Sequence, residues 1–487
     1  MVLLCVRLCH NHNFRKLRYR NVLSSSVVFI PAFLAFYVAW TYSVQKAFLN
    51  VYIPVLFLLP EYYHWNAPAG LPEMNVNQTT IGAIVLVWAL RGFKGWRFSL
   101  TDIVVFGFLW AQVHSQFMAT GFKDAQNFAF HNITSAIFPY MLTKALIEPY
   151  GLRADLAKRI VISLALVTIG LFPQFLLGMH HTPWQLAFGR FFGNQGWLWD
   201  TQYRWGFARA SGPYGHAIIA GIIMVCGYRL QRWLEWSHAW SDHFPPKYAW
   251  INIPPARLFT FLLFTGAFMT LVRGPISAGI IAGLFMSLAF TRNRWFIFFT
   301  VMIIGISISI PIVYWFISYA SVGRFQAATE AQSTVAYRWE LFGNYIELGM
   351  LKFWWGWGEF NTPQVPGQRS IDNHFLLLFL RHGMVGFLGL LLVFIVMMLR
   401  LFLHSMLKPV VYPLGSGFGF TLLAIYIVIF WSIVTVWMGQ QTLPFLFLIT
   451  GWADGYLRFG RENEHLQTVA AQTMPPQPRF RFKRVLS

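Results

Sequence analysis

Apolar stretches of bilayer-spanning length recur along the chain, separated by short polar connections. Runs at 80–97, 101–120, 128–148 and 158–179 come close to the roughly 20 residues that a helix needs to cross a hydrocarbon layer. Further runs fall near 212–232, 257–273, 275–291, 295–317, 374–400, 412–437 and 441–457. An earlier run begins near Val27 and persists to Pro60, broken at Tyr42-Ser43-Val44-Gln45-Lys46. It reads as one crossing with an interfacial extension or as two short crossings; counted as one, it brings the total to about 12 transmembrane helices. The long polar interruption lies late, over 318–372. Inside it Val335, Trp339, Phe342, Ile346 and Met350 recur at helical spacing, predicting an amphipathic helix over 331–352 that lies on the membrane.

Composition agrees with this all-α polytopic class. Hydrophobic residues make up 56% of the 487 and charged residues 11%, against about 25% charged in an ordinary soluble domain; mean hydropathy is +0.51. Three cysteines, Cys5, Cys9 and Cys226, make no disulfide framework, and Cys5, Cys9, His10 and His12 match no common zinc spacing. Net charge is +20, from 37 Lys and Arg against 17 Asp and Glu. Most of the cations sit between apolar runs: Arg91/Lys94/Arg97, Arg153/Lys158/Arg159, Arg229/Arg232/Lys247, Arg292/Arg294 and Arg400/Lys408. Orientation in the bilayer accounts for them, and nucleic-acid binding is not needed.

The pattern divides the chain into a cytoplasmic basic tail (1–23) continuous with an uncleaved anchor, nine transmembrane helices (24–317), an external loop (318–372), three more helices (373–457) and a second cytoplasmic basic tail (458–487). Against this topology, three arginines stand on the wrong face: Arg209, Arg273 and Arg338. A single Arg at a span end is accounted for by anchoring to lipid headgroups. Three from distant parts of the chain on one face call for an anion, because a guanidinium fork matches phosphate oxygens.

The loop also holds Arg324 and Arg369 as further phosphate contacts, and Gly356-Trp357-Gly358 as a hinge and an aromatic surface for sugar. Asp372-Asn373-His374 follows, at the mouth of the next apolar run. Asp and Asn are favoured helix caps, yet opposite external arginines an Asp or His suits deprotonation of an attacking hydroxyl. Tyr214 and His216, near Arg209, are candidates to line the same site. No nucleotide-binding glycine loop, nucleophile elbow or metal motif occurs, so a sugar donor has to arrive already activated.

Arg209-Ala-Ser-Gly-Pro-Tyr-Gly-His216, Leu271-Val-Arg273-Gly274, Arg338-Trp339, Gly356-Trp-Gly358 and Asp372-Asn-His-Phe-Leu376, with Gly383 and Gly386 downstream, resemble in order and placement the bacterial O-antigen ligase and polysaccharide polymerase superfamily. The resemblance covers about 200 residues, a length that also holds the long loop before a late helix. It implies a membrane glycosyltransferase (GT-C-like) fold in the bacterial inner membrane, with the site facing the periplasm. It implies an inverting, metal-independent enzyme with no cofactor, whose donor is an undecaprenyl-diphosphate-linked oligosaccharide. Membrane lipids and a chain-length regulator or export machinery are the implied partners. Arg209, Arg273, Arg338 and Arg324 then bind the donor diphosphate, and His374 or Asp372 activates the acceptor, His374 slightly favoured. Ligases in the family resemble His-Asn-x-aromatic-Leu at the last motif; here Asp372 stands in the His place, which favours a polymerase of repeat units over a ligase acting on lipid A-core. A lipid-linked oligosaccharide transporter is the reading from another class.

Overall fold

The computed structural model describes residues 22–473, apart from 69–70, 193–194, 196–200, 245–251, 369–370, 408–416 and 440. The amino-terminal basic residues, Arg369 and the end of the second tail therefore lie outside the described residues. Helices dominate. In chain order they are α1 (Val22–Thr41), α2 (Val44–Leu58), α3 (Val76–Leu90), α4 (Leu100–Thr120), α5 (Phe122–Asn132), α6 (Phe138–Leu146), α7 (Arg153–Leu177), α8 (Pro183–Phe192), α9 (Ala217–Trp236), α10 (Pro255–Met269), α11 (Arg273–Ser287), α12 (Arg294–Ala320), α13 (Glu330–Met350), α14 (His374–Leu407), α15 (Phe418–Thr435) and α16 (Thr442–Thr473). One two-residue hairpin, β1 (Tyr203–Arg204) with β2 (Phe207–Ala208), lies between α8 and α9. Among the described residues eight helices are long and apolar enough to cross a membrane, and three shorter apolar helices accompany them. The chain is a multi-pass, helical membrane protein.

The first apolar region is a hairpin of two helices, not the single crossing that the charge pattern suggests. Tyr42 leaves helical geometry and Ser43 restarts the chain as an N-cap, its Oγ accepting from the Lys46 N–H at 3.1 Å. The side chain supplies the bond that the broken ladder lacks. The end of α1 lies beside Arg91, which donates to the Trp40 carbonyl at 2.8 Å. Its start lies at the opposite end of α3, where Ser25 Oγ accepts from the Asn66 N–H at 3.0 Å and Thr79 donates to the Val28 carbonyl at 2.9 Å. α2 returns to that face, where Leu58 accepts from the Trp184 indole at 2.8 Å. Ser25 therefore sits on the face opposite Arg91, whereas the charge pattern puts residues 1–23 and Arg91 on the same side of the membrane.

α4 packs on α14, α6 on α16, α11 on α15 and α9 on α10. α12 has none of its apolar window buried, as suits a helix surrounded by lipid. On the face that carries Arg91, the bundle is tied by buried ions. Lys144 Nζ lies 2.7 Å from Asp102 and 3.0 Å from Asp454, and Arg400 lies 2.8 Å from the other oxygen of Asp454. Ser99 and Thr101 also donate to Asp454, and Tyr140 donates to Asp102. Two carboxylates against two cations, nearly all hydrogen-bonded, form a neutral bolt through α4, α6, α14 and α16. Lys144→Met leaves both carboxylates buried with Arg400 alone, and such a loss costs about 3–5 kcal/mol. We expect a clear drop in thermal midpoint in nanodiscs; an unchanged midpoint would mean that the pair adds nothing to stability.

Candidate active site

A cavity of about 1160 Å³ opens on the opposite face, between the ends of α9, α11, α14 and α15 and the loop after α13. Five arginines line it, Arg204, Arg209, Arg273, Arg338 and Arg381, with two acids, Glu359 and Asp372. Three positive charges are therefore in excess. Low-dielectric walls make such an excess costly unless an anion fills it.

Each arginine is placed by local chain geometry. Arg204 and Arg209 flank the hairpin turn Trp205-Gly206, where both residues take positive φ. Arg204 donates to the Leu271 carbonyl at 2.6 Å, which ties the hairpin to the turn between α10 and α11. Arg209 is held by Gln202: its backbone N–H donates to the Gln202 carbonyl at 2.8 Å and its guanidinium to the side-chain oxygen. Its Nε is buried without a hydrogen-bond partner. Burial and then Arg204 press its pKa down, so two like charges face one another here. Arg273 opens α11, its guanidinium 5.6 Å from the Trp205 ring centre. Arg338 projects from α13, exposed. Among the described residues no acid forms an ion pair with Arg204, Arg209, Arg273 or Arg338.

α13 spans Glu330–Met350, close to the amphipathic helix expected. Its apolar stripe of Trp339, Phe342, Ile346 and Met350 is exposed, as a membrane-facing stripe should be. A second face, Leu341 and Tyr345, is buried against Leu376 and Leu380 of α14. Tyr345 accepts from the Val365 N–H at 3.1 Å and donates to the Gln368 carbonyl at 3.2 Å, pinning the loop that leads to Asp372.

The tripeptide splits into three roles. Asn373 is the N-cap of α14: its Oδ1 accepts from the Leu376 N–H at 2.9 Å, and its amide donates to the Val434 carbonyl. Asp372, just outside the cap, lines the cavity. His374 does not; its Nδ1 is buried without a hydrogen-bond partner. One helical residue turns the side chain by about 100°, so two residues that the sequence pairs part company in space. His216 also lines the cavity and caps α9, its Nδ1 accepting from the Ile218 N–H at 3.2 Å. Burial, then Arg209, lower its pKa to about 4, with Asp372 pulling the other way. The ring is thus neutral at physiological pH, and with Nδ1 accepting its proton rests on Nε2.

Three helix starts meet the cavity, α9 at His216, α11 at Arg273 and α14 at Asp372. The positive ends of their dipoles reinforce the arginines. Apolar side chains line it as well: Ile218, Ile219, Leu377, Trp431, Val436 and Trp437.

The remaining expected residues do not line it. Tyr214 is fully buried, its hydroxyl donating to the Phe57 carbonyl at 3.1 Å. Arg324 lies against Phe325, and its N–H donates to Glu340 at 2.9 Å. Trp357 is structural in its contacts: its indole donates to the Leu348 carbonyl at 3.1 Å, and Lys352 lies 4.4 Å from the ring centre. Arg204, Glu359 and Arg381 line the cavity without having been singled out. The signal for Arg204 was another external cation five residues ahead of Arg209; for Arg381 it was a charge inside an apolar run, which rarely lacks a role. Nothing in the sequence marks Glu359 among loop acids.

Among the described residues no three of His, Cys, Asp and Glu are grouped to hold a metal ion. Residues 258–391 match a family model described as O-antigen ligase. The matched segment includes Arg273, Arg338, Glu359, Asp372 and Arg381, whereas Arg204, Arg209 and His216 precede it. No curated protein matches the chain.

Proposed function

We propose that this chain, whose residues 258–391 match the O-antigen ligase family model, is a polymerase of capsular, exopolysaccharide or O-antigen repeat units. It transfers a glycan from undecaprenyl diphosphate to a sugar hydroxyl of another lipid-linked repeat unit, with inversion and without a metal. The observation that carries this reading is one cavity lined by five arginines, two carboxylates and several large apolar side chains. Phosphate oxygens suit the arginines and a prenyl chain suits the apolar side chains.

In the transfer, Arg209, Arg273 and Arg338 hold the diphosphate and stabilise the charge that grows on it as the glycosidic bond breaks. Asp372 takes the proton of the attacking hydroxyl; its place on the cavity wall favours it over His374. Neutral His216 orients the acceptor or the diphosphate as a hydrogen-bond donor. The site faces the periplasm of the inner membrane, the bundle has a glycosyltransferase fold of about 12 crossings, and a chain-length regulator sets when growth stops.

The test is to incubate the purified protein in nanodiscs with undecaprenyl-diphosphate-linked repeat units, without nucleotide or divalent metal. A ladder at repeat-unit intervals is expected. A single transfer seen only with added lipid A-core would instead assign a ligase.

A further inference from the structure

α14 is not one continuous rod. Gly383 takes φ 65° and ψ −166° inside it, a backbone state that an L side chain rarely adopts. The break strips hydrogen bonds from the helix on both sides, within an apolar run where water cannot replace them. The segment after α13 replaces them. The N–H groups of Trp357 and Gly358 donate to the carbonyls of Leu380 and Arg381 at 2.9 and 2.8 Å. In return the freed N–H groups of Met384 and Val385 donate to Phe353 and Trp354 at 2.7 and 3.4 Å. Backbone meets backbone so closely that a Cβ on Gly356 would fall 2.5 Å from the Arg381 carbonyl carbon, and one on Gly383 would fall 2.2 Å from the Trp354 oxygen. Gly356-Trp357-Gly358 is thus a clasp on a broken helix, where the sequence suggested a hinge.

The clasp brings two charged side chains together at the cavity. Arg381, at the broken turn, has Nη1 3.0 Å from Oε1 of Glu359, the residue that follows the clasp. Glu359 is anchored through its backbone, its N–H donating to Gln116 Oε1 at 2.8 Å. Its carboxylate is about a third exposed, so it can leave without moving the chain. Arg381 cannot leave in the same way. Its Nε is buried with no hydrogen-bond partner, so the guanidinium fork is only partly satisfied by the internal carboxylate. An ion pair about a third exposed contributes little, whereas a phosphate offers the fork two oxygens at once.

We propose that Arg381 is a further phosphate-binding residue of the cavity, and that Glu359 is a built-in competitor that occupies it until the lipid diphosphate arrives. The inference rests on the reading of the cavity as a lipid-diphosphate site. When the ligand enters, the Glu359 carboxylate swings to solvent and one phosphate oxygen takes its place on Nη1 while another meets Nε. The clasp holds Arg381 still throughout, so the exchange costs a side-chain rotation only.

Binding of undecaprenyl diphosphate without glycan, measured on the full chain in nanodiscs, tests this. Glu359→Gln keeps the shape of the side chain and removes its charge; it is expected to tighten binding about two- to fivefold. Arg381→Lys is expected to weaken binding about tenfold, since an ammonium lacks the fork. In the double variant Glu359→Gln/Arg381→Gln the tightening should vanish relative to Arg381→Gln alone. Unchanged binding by Glu359→Gln, or equal tightening with and without Arg381, overturns the inference while the parent protein's binding, lost in Arg338→Ala, keeps the diphosphate reading. A parent that does not bind the probe overturns both.

Discussion

Alanine at Arg273 is expected to slow glycan transfer by about 100- to 1,000-fold, the range seen when one pre-organised donor to a developing negative charge is removed. Its position makes it the most exposed of the helix-start arginines: it opens α11, stands over Trp205 and lines the cavity without an ion-pair partner among the described residues. Nothing in the fold leans on its charge. On the proposed reading, removing it takes away a group that meets the diphosphate as the bond to the sugar breaks, when the leaving charge is largest. Lysine at the same position should recover part of the rate, because it restores the charge without the fork. Single-turnover rates with the thermal midpoint as a control read this directly. A rate within twofold of the parent, in a folded protein, would remove Arg273 from the site.

Asp372→Asn is expected to cost about 100- to 10,000-fold in the same assay, the contribution of a positioned general base, and His374→Ala far less. The two residues differ by two positions in sequence, but only Asp372 lines the cavity. Asn373 between them is spent on capping α14 and on bracing the Val434 carbonyl, which fixes the direction in which each neighbour leaves the cap. Asn at 372 preserves volume and loses the acceptor of the proton, so binding of the donor should persist while transfer stops. The reverse result, with His374→Ala inert and Asp372→Asn active, would place the base on the buried face of α14 and require that helix to rotate.

These two experiments also divide what the chain discloses in one dimension from what it does not. The helices were legible because hydrocarbon demands a run of apolar residues and leaves a long, unambiguous signal. Arg209, Arg273 and Arg338 were legible because each breaks the charge asymmetry of that signal, and all three line one cavity. The initial hairpin was only half legible, since a two-residue break capped by Ser43 is too short to separate two runs by hydropathy, so one crossing with an extension and two short crossings both stayed open. Gly356-Trp357-Gly358 misled for a related reason. Glycines flanking an aromatic read as mobile, but here Gly356 is small because the backbone of a broken helix presses against it, and Gly358 because Ala119 does. Arg381 and Glu359 meet only through that contact, which no local pattern reports. That Asp372 lines the cavity and His374 does not was hidden because residue type is visible in the sequence and the turn of the helix at its cap is not.

The central claim is that the cavity breaks a bond to a lipid diphosphate rather than passing the lipid-linked glycan across the membrane. The most direct measurement counts undecaprenyl diphosphate released by the protein in nanodiscs, given lipid-linked repeat units and no nucleotide, against the glycosidic bonds formed. We expect one lipid diphosphate freed per bond, with both products lost together in Arg273→Ala. Binding of the lipid-linked glycan with no lipid diphosphate released, and movement of the intact molecule between leaflets when the protein is placed in vesicles, would contradict the account and assign a transporter.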